Sequence, residues 1–275
     1  MRFASSSMVY YNYSLQYAIR DLHSLGYHGI EIWAGRPHMY RDDLDGQVEE
    51  LRGLLSECDM RVCNLIPAQF RYPSILCSEN EKVRRDSVAY IRTAVDNAAK
   101  IGSPSISLCP GMALFDRDTG TGWGRLVESF REIEEYAAEK GILLLIEPAH
   151  RFESNLIRTI DECITMIEEL GSECFGILLD TGHCRVNGED FREVIPRCRD
   201  YPLHVHLDDN SGKSDSHLLP GEGNVDFQAF SEALTSIGYR GFVSVELGMS
   251  YIMDPHEACK TALRSMQELF TGGGQ

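Results

Sequence analysis

Four ionisable side chains end apolar runs in the second half of the sequence. Glu147 follows Leu-Leu-Leu-Ile, Asp180 follows Ile-Leu-Leu, His206 ends Leu-His-Val-His, and Glu246 follows Val-Ser-Val. Burial disfavours the charged form of a carboxylate, and three buried carboxylates repel one another unless a cation lies among them. Three oxygen donors and one imidazole suit Mn²⁺, or Mg²⁺ or Co²⁺, better than a structural zinc ion that favours thiolates. If the runs are neighbouring strands, the pattern predicts one divalent metal ion bound by these four residues. The alternative is that each is a solvated residue at the start of a loop.

The elements that would position these side chains alternate along the chain. Eight short apolar runs are typical of buried parallel strands: Phe3–Val9, Gly29–Trp33, Arg61–Ile66, Ser105–Cys109, Leu143–Glu147, Gly176–Asp180, Leu203–Leu207 and Phe242–Leu247. Segments with a helical period lie between them: Ser14–Leu25, Val83–Ile101, Leu126–Ala138, Ile160–Leu170 and Phe227–Ile237. A glycine follows each helix or its last turn, at positions 26, 102, 141, 171 and 238.

This alternation predicts an α/β fold, a single (β/α)8 TIM barrel that spans residues 1–275. A doubly wound open sheet is the alternative, but no glycine-rich phosphate-binding turn follows the first predicted strand. In a TIM barrel the carboxyl ends of the strands surround the active site. The four ionisable residues would therefore face one another at the same end of the barrel.

Composition excludes several classes of function. With 26 Lys and Arg against 42 Asp and Glu, the formal net charge is −16, which argues against nucleic-acid binding. No apolar run is long enough to cross a membrane, and the first residues do not resemble a secretory signal. The nine cysteines are scattered without a CxxC pair, as expected of reduced thiols. We therefore expect a soluble cytoplasmic protein.

Several sequence blocks resemble those of the sugar isomerase/epimerase superfamily, whose members have a xylose-isomerase-like barrel. The blocks are LIEPAHRFESN (145–155), LLDTGH (178–183), HVHLDD (204–209), LPGEG (219–223) and SVEL (244–247). Within the superfamily, the nearest groups are the ketose 3-epimerases of the tagatose/psicose type and the fructoselysine 3-epimerases. EIWAGRPH (31–38) and GYRGFVSVELGMSYIMDPHEA (238–258) favour the fructoselysine group.

The resemblance implies roles for individual residues. The four side chains named above match the metal ligands of the family, and Glu147 and Glu246 also match its two proton-transfer carboxylates. Glu153 matches a contact to a substrate hydroxyl, and His183 matches a histidine beside the substrate oxygens. His217 stands where the sugar epimerases commonly have an arginine, after a longer loop, so its predicted contact with a substrate oxygen departs from the family pattern.

The expected reaction is epimerisation of a ketose or a ketose conjugate, most directly at C3. Removal of a proton beside a ketone gives an enediolate, whose charge a divalent cation stabilises. One carboxylate removes the proton from one face and the other returns it from the opposite face. Arg36 follows the second predicted strand, where it would bind an anionic group of the substrate or form a surface salt bridge.

Three other functions remain open at this point. The same metal site serves dehydratases of the superfamily, of the inosose and dehydroshikimate type. A DNA-repair endonuclease with several metals is disfavoured by the net charge and by a lack of further histidines, and a barrel that only binds ligand is disfavoured by the two glutamates. Relatives of this kind commonly form dimers or tetramers, so we expect a homo-oligomer that acts on a small molecule without nucleic-acid or membrane partners.

Overall fold

Eight parallel strands close into a barrel in the computed structural model, which describes residues 1–69 and 72–271. The strands are β1 (Arg2–Ser6), β2 (Gly29–Ala34), β3 (Arg61–Pro67), β4 (Ser105–Leu108), β5 (Leu143–Ile146), β6 (Phe175–Asp180), β7 (Leu203–Leu207) and β8 (Phe242–Val245). Each strand pairs with its neighbour in sequence, and β1 also pairs with β8. The prediction of a TIM barrel is confirmed, while the extent of the domain over residues 1–275 stays a prediction.

Helices surround the barrel and return the chain to the next strand. They are α1 (Leu15–Leu25), α2 (Val48–Glu57), α3 (Glu81–Ile101), α4 (Thr119–Lys140), α5 (Ile160–Leu170), α6 (Thr181–Asn187), α7 (Phe191–Val194), α8 (Phe227–Ser236) and α9 (Pro255–Thr271). All five predicted helices are present. Glycines 26, 102, 141 and 171 end α1, α3, α4 and α5 with positive φ, the conformation that a C-terminal cap favours. No helix in the described ranges has the length and hydrophobicity needed to cross a bilayer.

The strands divide their residues between an apolar outer face and a more polar inner face. Ile177 and Leu179 of β6 belong to the main core cluster that also contains residues of the surrounding helices. Inside the barrel, Asn64 donates to Glu31, and Ser105 donates to Asn64. This alternation follows from the period of two along a strand, and it directs Asp180 toward the barrel axis.

The first strand is shorter than the sequence predicts. We expected a strand over Phe3–Val9, but it ends at Ser6 and a short 3₁₀ helix follows over Ser7–Tyr10. The Ser6 hydroxyl accepts a hydrogen bond from the backbone N–H of Met8 and so caps this helix. A serine side chain that bonds to nearby backbone competes with the strand ladder, which explains the early end.

Candidate metal centre and active site

Glu147, Asp180, His206 and Glu246 meet at the carboxyl end of the barrel. His206 Nδ1 lies 3.3 Å from Glu147 Oε1, 3.7 Å from Asp180 Oδ2 and 3.0 Å from Glu246 Oε2. All four residues are buried, and one ligand atom from each lies within 4.8 Å of the others. The structure thus brings together the four side chains that the sequence predicts as metal ligands.

The strand register and local hydrogen bonds fix this arrangement. Asp180 of β6 pairs with His206 of β7, so the two side chains leave neighbouring strands at the same level. The other oxygen of Asp180, Oδ1, accepts from the backbone N–H of His183 at 2.7 Å and caps the start of α6. Asp180 is therefore held by the helix that follows it, and its Oδ2 atom is left facing His206.

Glu31 lies behind His206 and was not identified from the sequence. It is fully buried in β2, and its carboxylate lies 2.9 Å from His206 Nε2 and 3.2 Å from His204 Nε2. Because an ionised carboxylate only accepts hydrogen bonds, Nε2 of His206 must carry the proton and Nδ1 is left to bind a metal. His204 is thus an interior partner of Glu31 rather than a further ligand, as its position two residues before His206 indicates. The sequence contains one indication that Glu31 is buried: it is an ionisable residue between Ile30 and Ile32 in an apolar strand.

The charges of the site act on one another strongly. Burial lowers the pKa of His206, but Glu31 and Glu246 outweigh burial and raise that pKa well above its usual value. Burial raises the pKa of Glu246, and His206 more than reverses this, so the pKa is lowered. The pKa of Asp180 is raised well above its ordinary value by burial and then by the charge of Asp208. Three carboxyl groups thus share one buried site with a single imidazole.

The donor atoms fit a divalent cation. Asp180 Oδ2 and His206 Nδ1 are buried without a hydrogen-bond partner, although buried polar atoms are normally satisfied. A cation among three carboxylate oxygens and one nitrogen would satisfy both atoms and separate the negative charges. Mn²⁺, Mg²⁺ and Co²⁺ all accept such a set of ligands.

A second set of ionisable side chains adjoins the first. His150 and Glu153 lie in the loop after β5, His183 lies in α6, and Asp215 lies in the long loop after β7. Asp215 Oδ2 lies 3.4 Å from His150 Nε2 and 3.5 Å from His183 Nε2. Burial raises the pKa of Glu153, because the nearby histidines only partly offset the loss of solvation. Two of the predicted substrate contacts, Glu153 and His183, therefore belong to this set. Asp215 was not predicted to take part, and His150 was expected only to help build the rim of the barrel mouth.

His217 lies between Asp208, which follows β7, and Asp215 of the second set. Its Nδ1 lies 2.8 Å from Asp208 Oδ2 and its Nε2 lies 2.7 Å from Asp215 Oδ2. With His150 and His183, it brings three histidines outside the predicted ligand set to one place. The expectation that the chain lacks the further histidines of a site with several metals was therefore wrong.

Asp209 fixes the loop that carries Asp215 and His217. Its carboxylate accepts hydrogen bonds from the backbone N–H groups of Gly221, Gly223 and Val225. The N–H of Gly248, just after β8, also donates to the carbonyl of His217 at 2.9 Å. The loop is thus held beside the ends of the neighbouring strands β7 and β8.

Arg36 does not join either set of ionisable side chains. Its Nε donates to Asp43 at 2.6 Å, its guanidinium lies over the ring of Tyr40, and its side chain is 71% exposed. The salt bridge that the sequence left as an alternative is present. A contact between Arg36 and substrate stays a prediction.

Comparison with known proteins identifies the family. A family model described as "Xylose isomerase-like TIM barrel" matches residues 19–269. The chain belongs to this family. Fructoselysine 3-epimerase from Shigella flexneri is 29% identical over 256 residues, which cover 93% of each chain. The crystal structure of a D-tagatose 3-epimerase-like protein is 25% identical, with a TM-score of 0.80 over 98% of this chain and 99% of the other.

A third similarity concerns the fold. The structure of the IolI protein with a zinc atom is 18% identical, with a TM-score of 0.84 over 99% of each chain. The predicted resemblance to the xylose isomerase-like barrels is confirmed. Since the named relatives of the chain are sugar epimerases and isomerases, this member of the family is an enzyme.

Proposed function

We propose that the protein is a metal-dependent epimerase of a ketose or ketose conjugate that inverts the configuration at C3. The observation that carries this proposal is the pair of buried glutamates, Glu147 and Glu246, whose carboxylates lie 3.3 and 3.0 Å from His206 Nδ1. The similarity to fructoselysine 3-epimerase over 93% of both chains favours a ketose conjugate and a reaction at C3.

Glu147, Asp180, His206 and Glu246 would bind one divalent cation, for which Mn²⁺ is favoured over Mg²⁺ or Co²⁺. When bound, the cation would stabilise negative charge on the oxygens of the substrate next to the reacting carbon. Glu31 would keep Nδ1 of His206 free for the cation by accepting the proton of Nε2.

The two glutamates would move the proton. They follow β5 and β8, so they approach the centre of the mouth from different sides. One carboxylate would take the proton from the carbon beside the ketone, and the other would return a proton to the opposite face.

Glu153 and His183 would contact hydroxyl groups of the substrate, and His217 would take the place of the arginine found in the sugar epimerases. The homo-oligomeric state and the cytoplasmic location also stay predictions.

The test is to incubate the purified protein with Mn²⁺ and fructoselysine, D-tagatose or D-psicose in D₂O. Proton NMR is expected to show a C3 epimer that has gained deuterium at C3 without loss of mass. Glu147→Gln and Glu246→Gln should each reduce turnover by roughly 10²–10⁴-fold, because each removes one proton-transfer group. The exposed Glu49→Gln in α2 is the matched control and should retain full activity.

Metal content is measured in each variant to separate chemistry from binding. If both variants bind Mn²⁺ and keep near-normal turnover, the mechanism with two carboxylates is wrong. If the product has lost water, the protein is a dehydratase that uses the same ligands.

A further inference from the structure

A cavity lies at the other end of the barrel, beside the amino ends of the strands. Its volume is about 520 Å³, and its lining includes the first residues of β1, β3 and β8, the second half of α2 and the end of α3. Of the described residues, three arginines line this basal cavity, Arg2, Arg52 and Arg61, and no Asp or Glu does. None of its residues belongs to the candidate active site, so a ligand here goes beyond the proposed function.

We propose that the basal cavity binds a small molecule through a phosphate group. The planar guanidinium of arginine matches the geometry of phosphate and donates two hydrogen bonds to it at once. The volume lies within the range of small-molecule sites and exceeds what a single phosphate ion needs. In a chain with a formal net charge of −16, three arginines in one cavity produce a local positive potential that attracts an anion.

The strand register places Arg2 against an aromatic ring at the end of the barrel. Arg2 of β1 pairs with Phe242 of β8, and its guanidinium carbon lies 4.1 Å from the centroid of the Phe242 ring. The absence of a side chain at Gly29 makes room for this ring, because a Cβ there would lie 2.7 Å from Phe242 Cε1. A guanidinium that lies over a ring keeps the donors at its edge available. Phe242 therefore supports Arg2 and leaves it able to bind an anion.

The guanidinium groups of the basal cavity lack strong acidic partners. In the ranges that the structure describes, Arg2 and Arg61 form no salt bridge, and Arg52 reaches Glu49 only at 3.8 Å, between exposed side chains. Like charges that face one cavity repel one another, whereas an anion among them is attracted by all three. An anionic group is therefore the ligand that these side chains favour.

The neighbouring end of α3 does not account for the arginines. The carbonyl of Ala98 accepts hydrogen bonds from the backbone N–H groups of both Gly102 and Ser103. Lys100, in the last turn, provides the positive charge that the carboxyl end of a helix favours. The helix end thus has its own capping groups, and the arginines that begin β1 and β3 are left for a ligand.

A second cavity, of about 380 Å³, adjoins the basal cavity and shares Arg2 and Arg61 with it. His28 lines this second cavity, and its Nδ1 accepts the backbone N–H of Phe3 at 3.1 Å. Nε2 of a neutral His28 therefore carries the proton and can donate a hydrogen bond. Asp59 is the one acidic residue among the described residues that line it. The two shared arginines allow a ligand larger than a phosphate ion to extend from the basal cavity into the second one.

The test is a calorimetric titration of the purified full-length protein with sodium pyrophosphate at physiological ionic strength. The wild-type protein is expected to bind it with a Kd below about 1 mM. Arg2→Gln and Arg61→Gln should each weaken binding by roughly 10–100-fold, because each removes charge-assisted hydrogen bonds. Arg264→Gln, a change of an exposed arginine on α9, is the matched control and should bind like the wild-type protein. Inorganic phosphate should bind more weakly than pyrophosphate by about tenfold or more, because it reaches fewer of the arginines.

Crystals of the wild-type protein soaked in tungstate give a second measurement that requires no variant. Anomalous diffraction from tungsten is expected to place an anion in contact with Arg2 and Arg61. A wild-type Kd above about 1 mM, unchanged affinity in both arginine variants, or tungsten only at other positions would overturn the proposal. Equal affinities for phosphate and pyrophosphate would overturn the assignment of a ligand larger than the free ion. Because neither experiment measures turnover, a negative result would leave the proposed epimerase activity untouched.

Discussion

A candidate metal ligand, His206, depends on residues outside the candidate metal centre. Glu31 is fully buried and faces two imidazoles, and Asn64 donates to it at 2.7 Å. Burial raises the pKa of Glu31, but the charges of His206 and His204 outweigh burial and lower it well below its usual value. Glu31 is therefore ionised and directs the proton of His206 to Nε2.

Replacing Glu31 by glutamine should weaken metal binding while leaving the four ligands in place. The amide lacks the charge that fixes the tautomer of His206, so the affinity for Mn²⁺ should fall by roughly 10–100-fold. Calorimetric titration of the metal-free protein with Mn²⁺ measures the change. Glu49→Gln, at the exposed surface of α2, serves as the control. Equal affinities in the two variants would show that Glu31 does not position His206.

The candidate metal ligands were predictable because each ends a strand that is apolar on one face. Glu31 was missed because it lies inside an apolar strand rather than at its end, where only strict alternation reveals the inner face. Asp215 was not identified from the sequence, since it lies in a long loop. Its position depends on the hydrogen bonds that Asp209 accepts, which link residues distant in sequence.

The elements that the sequence predicted from an apolar period are present, but four helices, α2, α6, α7 and α9, were not predicted individually. All eight strands are present, although the first ends at Ser6. The helix α4 begins at Thr119, earlier than its apolar period indicates, because Asp118 caps it and accepts from Thr121 N–H. Three glycines in its first turns hide the helical pattern from a propensity argument. The short helix α6 was missed since it depends on a cap from Asp180.

Two glycines in different elements should respond in opposite ways to the same substitution. A Cβ at Gly176, in β6, would lie 2.5 Å from the carbonyl oxygen of Pro202 and 2.9 Å from Leu145 Cδ2. Gly176→Ala should therefore destabilise the protein by about 1–3 kcal/mol. Gly53 lies in the exposed face of α2 with open space around it, so Gly53→Ala should stabilise by about 0.5–1 kcal/mol. Urea unfolding of both variants checks this contrast, and an equal shift in both would contradict the close approach of β6 to its neighbour.

At the scale of the whole molecule, a bound cation should link half of the barrel. The four candidate ligands follow or lie near the ends of β5, β6, β7 and β8, so one ion held by them would contact four consecutive strands. The chain also carries a formal net charge of −16, and self-repulsion of this sign opposes the compact state. Without the ion, three of the negative groups lie together in a buried site.

Adding Mn²⁺ to the metal-free protein should therefore raise the midpoint of thermal unfolding. A ligand at about 100 times its Kd stabilises the folded state by about 2.7 kcal/mol, which for a chain of this size corresponds to roughly 5–10 °C. Scanning calorimetry with and without the ion measures the shift. Asp180→Asn retains the side-chain oxygen that caps α6 but loses the charge at the site, so its shift should be much smaller, whereas Glu49→Gln should behave like the wild-type protein. If Mn²⁺ raised the unfolding midpoint of Asp180→Asn as much as that of the wild-type protein, the ion would bind elsewhere. An ion bound at the barrel mouth requires the Asp180 carboxylate.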